Sequence, residues 1–324
     1  MILTDGNAPI SMDVAAVATD HEHHYVQDNP SVNGNSKMSN GRLLLLDGAT
    51  GTELNRRGVD TGLPLWSANA LTTDMGLNAL RQIHLDYLNA GADILTANTF
   101  RTHRRALAGK GHAAREMTRR AVATAQEAVA EFGSPAQVAG SVAPLEDCYR
   151  PDLVPPDDEC RAEHSERIHH LVEAGVDLLL IETMNSIREA VIAAELATST
   201  GRPAWVSFVC DRAGRLLSGE PLAVAAELLL PLGVQALGVN CGPANALAKP
   251  LAELRAICGP DFPLIAYGNI GYADESQGWI NTDAVDPESY LQYARAWPAQ
   301  IVGGCCGTTP EHIRRLRVGR IDTA

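Results

Sequence analysis

The chain has 324 residues, 45% hydrophobic and 20% charged, with a formal net charge of −13. That balance allows one large buried core and argues against a nucleic-acid-binding surface. No apolar run approaches the ~20 residues that span a bilayer, and no basic segment followed by an apolar stretch marks a secretory signal. Seven cysteines, an odd number spread over a long chain, fit a reducing cytoplasm, where clustered thiols point to metal or catalysis.

Residues 1–40 read as a flexible tail, polar and without sustained period. His21, His23 and His24 lie in it; composition alone would allow a metal tract, but nothing nearby fixes their geometry, and the reading is a solvated arm. Residues 41–320 read as one folded domain. Apolar runs recur there at Leu43–Leu46, Ala92–Ala97, Gln137–Val142, Val176–Ile181, Ala204–Val209, Val234–Val239, Pro263–Tyr267 and Gln300–Val302. Between them, helical spacing predicts helices over Leu77–Ala90, Ala113–Phe132, Arg161–Ala174, Ile187–Thr200 and Leu222–Leu230. Ser186 with Glu189 and Thr308 with Glu311 have capping-box spacing, and Pro310 suits a first helical position.

Buried runs alternating with helices imply a parallel sheet. Eight such units fit a closed (β/α)₈ TIM barrel in the α/β class. An open doubly wound sheet needs a glycine-rich phosphate fingerprint after its first strand, which Asp47-Gly48-Ala49-Thr50-Gly51-Thr52 imitates only weakly.

In a parallel barrel, residues just after the runs share one rim, where barrel active sites form. Those residues are Asp47, Asn98, Glu182, Cys241, Asn269, Cys305 and Cys306. The segment Gly303-Gly304-Cys305-Cys306-Gly307 sets two adjacent thiols among glycines that permit a sharp turn, and Cys241 comes from a strand two places away on the rim. Three thiolates can hold one Zn²⁺ and leave its fourth position open, the catalytic rather than the structural arrangement. A vicinal disulfide or ordinary buried thiols are the alternatives. A three-thiolate zinc site carries a formal charge of −1, so it suits a fourth, nucleophilic sulfur whose proton coordination removes. Cys148, Cys160, Cys210 and Cys258 lack this context and read as structural or surface thiols, though Cys210 ends a run near the same rim. Asp47 and Glu182 are candidate anchors for a substrate ammonium. The amides of Gly48, Ala49 and Thr50 could cradle a carboxylate. Asn98, Asn240 and Asn269 are further substrate-binding candidates or loop ties. Trp66 could stack on a cationic donor or pack a loop.

These residues resemble the homocysteine S-methyltransferase family. The matching segments are Leu46–Leu54, Thr96–Phe100, Ala139–Pro144, Ile181–Thr183, Gly238–Cys241 and Gly303–Pro310, in order over about residues 42–317. The resemblance implies a (β/α)₈ barrel, one zinc on Cys241, Cys305 and Cys306, homocysteine as methyl acceptor, and Asp47 and Glu182 holding its amino group. Family members that use methylated folate carry further domains, and those that use betaine carry a longer C-terminal extension. Leu65-Trp66-Ser67-Ala68 resembles the short members that use S-methylmethionine, whereas Tyr267–Tyr272 departs from their pattern.

The reading is therefore a cytoplasmic methyltransferase of methionine biosynthesis, with S-methylmethionine as donor and S-adenosylmethionine second. Its partners are homocysteine and a small methyl donor, with no nucleic acid and no membrane. The rivals are an enzyme using another methylated amine or a corrinoid protein, and a metal-binding or redox-sensing protein built on vicinal thiols.

Overall fold

The computed structural model describes residues 43–133, 135–274, 276 and 278–321; the polar tail with its three histidines lies outside them. Among these residues ten strands form: β1 (Leu44–Leu45), β2 (Ile94–Ala97), β3 (Gln137–Val142), β4 (Leu178–Met184), β5 (Ala204–Phe208), β6 (Ala236–Pro243), β7 (Leu264–Asn269), β8 (Gly271–Asp274), β9 (Gly278–Asn281) and β10 (Ile301–Gly304). Each of the eight apolar runs supplies one strand of an eight-stranded parallel sheet, in the order β1-β10-β7-β6-β5-β4-β3-β2. The seam between β1 and β2 is held by a parallel bridge from Leu46 to Ile94 and by backbone bonds from Asp47 N to Ile94 O (3.0 Å) and from Asp93 N to Leu45 O (2.8 Å). The sheet thus curls into a TIM-type barrel.

Ten α-helices accompany the strands among the described residues: α1 (Thr50–Arg56), α2 (Asp74–Ala90), α3 (Arg104–Leu107), α4 (Ala114–Phe132), α5 (Asp157–Ala174), α6 (Ile187–Thr198), α7 (Leu222–Leu229), α8 (Ala248–Cys258), α9 (Pro287–Arg295) and α10 (Pro310–Ile321). The five predicted helices are α2, α4, α5, α6 and α7, with ends shifted by a few residues. Among the described residues, no helix is long and apolar enough to cross a membrane.

The strand period of two sorts side chains between two cores. One face of the strands packs with the helices, where Leu179, Val206, Leu237 and Val302 meet Ile83, Leu171 and Leu254. The other fills the barrel: Leu46, Ile94, Leu178, Leu180, Trp205, Ile265 and Ile301 form a separate plug. Nearer the C-terminal rim the same inward positions turn polar, at Thr96, Ser141, Glu182, Ser207 and Asn240. The plug is therefore a floor, and Thr96, Ser141 and Glu182 of the polar ring above it line the candidate site.

Both expected capping boxes give way to tertiary bonds. The Ser186 side chain makes no cap bond, and Glu189 instead accepts from Leu145 N (2.8 Å) and faces His164 Nε2 (3.0 Å). The Thr308 hydroxyl donates to Cys305 O (2.8 Å) and accepts from Ala49 N (3.1 Å). Pro310 does begin α10.

Candidate active site and metal centre

Two irregularities aim the functional side chains. The register of β6 against β7 shifts between Asn240 and Pro243, and Cys241 there has φ +59°. The register of β4 against β5 shifts between Ile181 and Met184, beside Glu182, and Thr183 has φ +60°. Bulges of this kind re-aim a side chain. Positive φ at non-glycine residues costs energy and collects at functional sites. Asn240 supports both irregular strands: it accepts from Thr183 N (2.9 Å) and Ser207 Oγ (2.9 Å) and donates to Thr183 Oγ1 (2.8 Å).

After β10 the chain turns sharply. Cys305 N donates to Gly268 O (2.8 Å), and Thr308 N and Oγ1 both reach Cys305 O, at 3.1 and 2.8 Å. Of the three glycines around the thiol pair, only Gly307, at φ +84°, uses glycine's left-handed freedom. Gly304 serves close approach instead, since a Cβ there would run into the Thr308 side chain. Helix α1 braces the turn: Thr52 Oγ1 accepts from Gly307 N (3.1 Å), and Arg56 donates to Gly307 O (2.6 Å) and Thr308 O (3.3 Å).

The result brings the Sγ atoms of Cys241, Cys305 and Cys306 within 4.8 Å of one another. Cys241 and Cys305 are 3.2 Å apart, well beyond the roughly 2.05 Å of a disulfide. Hydrogen bonds from its two neighbours hold the Cys306 thiol well below the ordinary thiol range. Three converging sulfurs, one disposed to ionise, fit a soft divalent metal. Asn269 ties the two ligand-bearing segments together, donating to Cys241 O (2.6 Å) and accepting from Cys306 N (3.0 Å).

A cavity of about 380 Å³ opens beside the thiols. Asp47 and Glu182 line it and are almost fully buried. Asp47 accepts from Thr96 N (2.8 Å) and Thr96 Oγ1 (2.9 Å). Burial nonetheless raises its pKa to about 8, and the nearby Glu182 adds to the rise. Glu182 accepts from Ser141 Oγ (2.5 Å) and Tyr267 Oη (3.0 Å), and burial raises it to about 7. Two buried carboxylates are thus poised to gain from a bound cation.

Asn98 and Trp66 also line the cavity. Asn98 donates to Ser67 O (2.8 Å), and Trp66 meets Phe100 edge-on with centroids 5.6 Å apart. Asn240 and Asn269 stand behind the cavity wall, with their amides spent on the backbone and on neighbouring side chains. Gly48, Ala49 and Thr50 line the cavity, but of their three amides that of Ala49 is taken by Thr308. Cys210 lines a separate small cleft, whereas Cys148, read from sequence as outside the site, lines the main cavity.

Sequence reasoning missed Tyr149, Phe100, Arg101 and Trp279 in the cavity wall, along with the partners Thr96, Ser141 and Tyr267. The last three follow the inward strand period and could have been found by it. Tyr149, whose hydroxyl is 3.6 Å from Cys241 Sγ, sits on a long loop. Trp279 arrives on the β8–β9 hairpin, which the sequence did not signal.

Fold and site together define a parallel α/β barrel whose C-terminal rim carries a cluster of three thiols able to hold a metal ion. The chain belongs to the homocysteine S-methyltransferase family: the model of that family matches residues 44–318. It is 34% identical to homocysteine S-methyltransferase of Escherichia coli (85% of this chain, 94% of that one). It is 33% identical to homocysteine S-methyltransferase YbgG of Bacillus subtilis (85% and 93%). It is also 30% identical to a selenocysteine methyltransferase of Astragalus bisulcatus (85% and 92%). Among solved structures, the metallated form of the homocysteine methyltransferase MmuM from Escherichia coli superposes with TM-score 0.73 at 31% identity, covering 86% of this chain and 96% of that one.

Proposed function

We propose that this enzyme transfers a methyl group from a sulfonium donor to the sulfur of homocysteine, giving methionine. The observation that carries this reading is one cavity lined by both the three-thiol cluster and the two buried carboxylates. Cys241, Cys305 and Cys306 would hold a zinc ion, which would supply the Lewis acidity that lowers the pKa of a substrate thiol. Thiolate softness favours zinc over the oxygen-seeking divalent metals.

The remaining work falls to the chain itself. Asp47 and Glu182 bind the homocysteine ammonium and become fully ionised on doing so, because the cation offsets their desolvation. Their hydrogen bonds to Thr96, Ser141 and Tyr267 fix the carboxylate planes. The Gly48–Thr50 backbone faces the amino acid's carboxylate. Asn98 lines the same wall, and Asn240 and Asn269 act through the strand ends they hold. Trp66 stacks on the donor cation. A lone pair of the acceptor sulfur forms the new S–CH₃ bond. As it does so, the donor's C–S bond breaks, its electron pair stays on the leaving sulfur, and a neutral thioether departs. Charge is annihilated in this step, so a dry cavity favours it.

Incubation of purified protein and homocysteine with S-methylmethionine, S-adenosylmethionine, methyl-folate or betaine, followed by measurement of methionine, tests the reading. Turnover is expected with S-methylmethionine, more slowly with the bulkier S-adenosylmethionine, and not with methyl-folate, whose amine is a poor leaving group. Activity with betaine and neither sulfonium would overturn the donor assignment. Selenocysteine belongs in the same assay as acceptor, because relatives at similar identity carry that activity in their names.

A further inference from the structure

Arg101 follows Phe100 just beyond β2 and lines the cavity. Its guanidinium carbon lies 5.9 Å from the Phe100 ring centroid. Among the described residues it makes no ion pair, and its Nε is buried without a hydrogen-bond partner. The neighbouring arginines differ. Arg105 is bonded to Glu146, Glu159 and Glu163, Arg104 is paired with Glu163 and Glu166, and Arg167 is bonded to the carbonyls of Ala143, Thr99, Phe100 and Ser141. Arg101 is therefore a fork of donors at the edge of the cavity, with no carboxylate within ion-pair distance among the described residues.

A guanidinium in that state matches a carboxylate in both shape and charge. Two carboxylates could fill the role, the acceptor's or the donor's. The acceptor is claimed elsewhere: its ammonium by Asp47 and Glu182, its sulfur by the thiol cluster. Arg101 instead belongs to the aromatic wall of Trp66, Phe100, Tyr149 and Trp279; the last two are about half exposed, at 47% and 45%. Tyr149 of that wall reaches within 3.6 Å of Cys241 Sγ, so a donor held against the wall lies beside the acceptor sulfur. A bare cation there would repel an onium donor unless the donor also carried an anion.

We propose that Arg101 binds the carboxylate of the methyl donor, which makes the enzyme selective for zwitterionic onium compounds that carry a carboxylate over simple onium ions. This rests on the methyl-transfer reading above and narrows its donor class.

The test measures binding apart from turnover. Quenching of tryptophan fluorescence, to which Trp66 and Trp279 contribute, is titrated with S-methylmethionine and with 3-aminopropyl-dimethylsulfonium, its carboxylate-free analogue. The zinc-loaded wild type, Arg101→Gln and Arg101→Lys are compared, with zinc content as the control for an intact site. The wild type should bind S-methylmethionine at least tenfold more tightly than the analogue. Arg101→Gln should bind the two alike, with homocysteine affinity within twofold of wild type, and Arg101→Lys should recover part of the preference. Equal binding of both compounds by the wild type, no binding of S-methylmethionine, a preference that survives Arg101→Gln, or a loss confined to homocysteine would each overturn the assignment. Methionine formation, assayed separately, reports on the methyl-transfer reading itself: a wild type that shows the carboxylate preference yet forms no methionine would sink that reading and leave Arg101 as a carboxylate site.

Discussion

Asp47 and Glu182 are buried acids that make no ion pair among the described residues, and the Arg167 guanidinium only partly offsets the burial of Glu182; that fixes their pH behaviour. Burial raises their pKa values to about 8 and about 7. In the unfolded chain both ionise near pH 4. Between roughly pH 4 and pH 8 the folded protein therefore binds more protons than the unfolded one, and stability falls as pH rises through that window. Chemical denaturation of the ligand-free protein at a series of pH values should show this decline, and Asp47→Asn with Glu182→Gln should flatten it. Homocysteine binding has the opposite sign, because its ammonium needs the ionised acids: affinity should improve from pH 6 to pH 8. At neutral pH each single variant should keep its metal and lose about 1.5–3 kcal/mol of binding, roughly ten- to a hundredfold in homocysteine KM. Unchanged kinetics in both variants would remove these residues from the site. That these two acids line one cavity with the three thiols was legible from rim position alone. Their hydrogen-bond partners Thr96, Ser141 and Tyr267 occupy the same inward strand positions.

At the scale of elements, the loops at the ends of β6 and β10 must be held in register for three sulfurs to meet. Asn269 does this with one amide, bonding Cys241 O and Cys306 N. The sequence marked Asn269 as a rim residue, but its amide turns to the backbone and not to the cavity. Removal of a residue that orients metal ligands typically costs ten- to a hundredfold in metal affinity. Asn269→Ala should weaken zinc by that order in a competition titration against a chromophoric chelator, while its far-ultraviolet circular dichroism stays that of the wild type. Wild-type zinc affinity in the variant would mean the turn is fixed by Gly307 and the α1 contacts alone. Strand existence was readable at this scale because buried parallel strands are continuous apolar runs. The β8–β9 hairpin was not, since Gly271–Asn281 has neither a sustained alternation nor a two-residue turn signature, and Trp279 entered the cavity unseen. The capping boxes failed for a related reason. Glu189 and Thr308 lie where tertiary partners compete for the same oxygen atoms, and a local motif carries no information about those partners.

For the whole molecule, the barrel and the metal centre draw on different residues. The helix-facing core and the plug inside the barrel form without any of the three cysteines, apart from a partial contact of Cys305 with the plug. Eight-fold strand and helix repetition made that architecture legible, because each repeat carries its own buried run. The centre instead depends on Cys241 meeting a pair 64 residues away, a contact provided by the pairing of β6 and β10 on either side of β7. Removing the metal should therefore lower stability without unfolding the chain. Binding to the folded state contributes about 4 kcal/mol when free metal is a thousandfold above its dissociation constant. For a barrel of this size that corresponds to a fall in Tm on the order of ten degrees. Chelated protein should keep its secondary structure, melt earlier, and return to the original Tm with one equivalent of zinc per chain. Cys241→Ala, Cys305→Ala and Cys306→Ala should each melt like the chelated protein and ignore added zinc. Cys148→Ala should still respond, because its sulfur lines the cavity but stands outside the three-thiol cluster. A Cys305→Ala variant that retained a full equivalent of tightly held zinc would break the ligand assignment. A chelated protein that lost its helices would show that the barrel needs the metal to close.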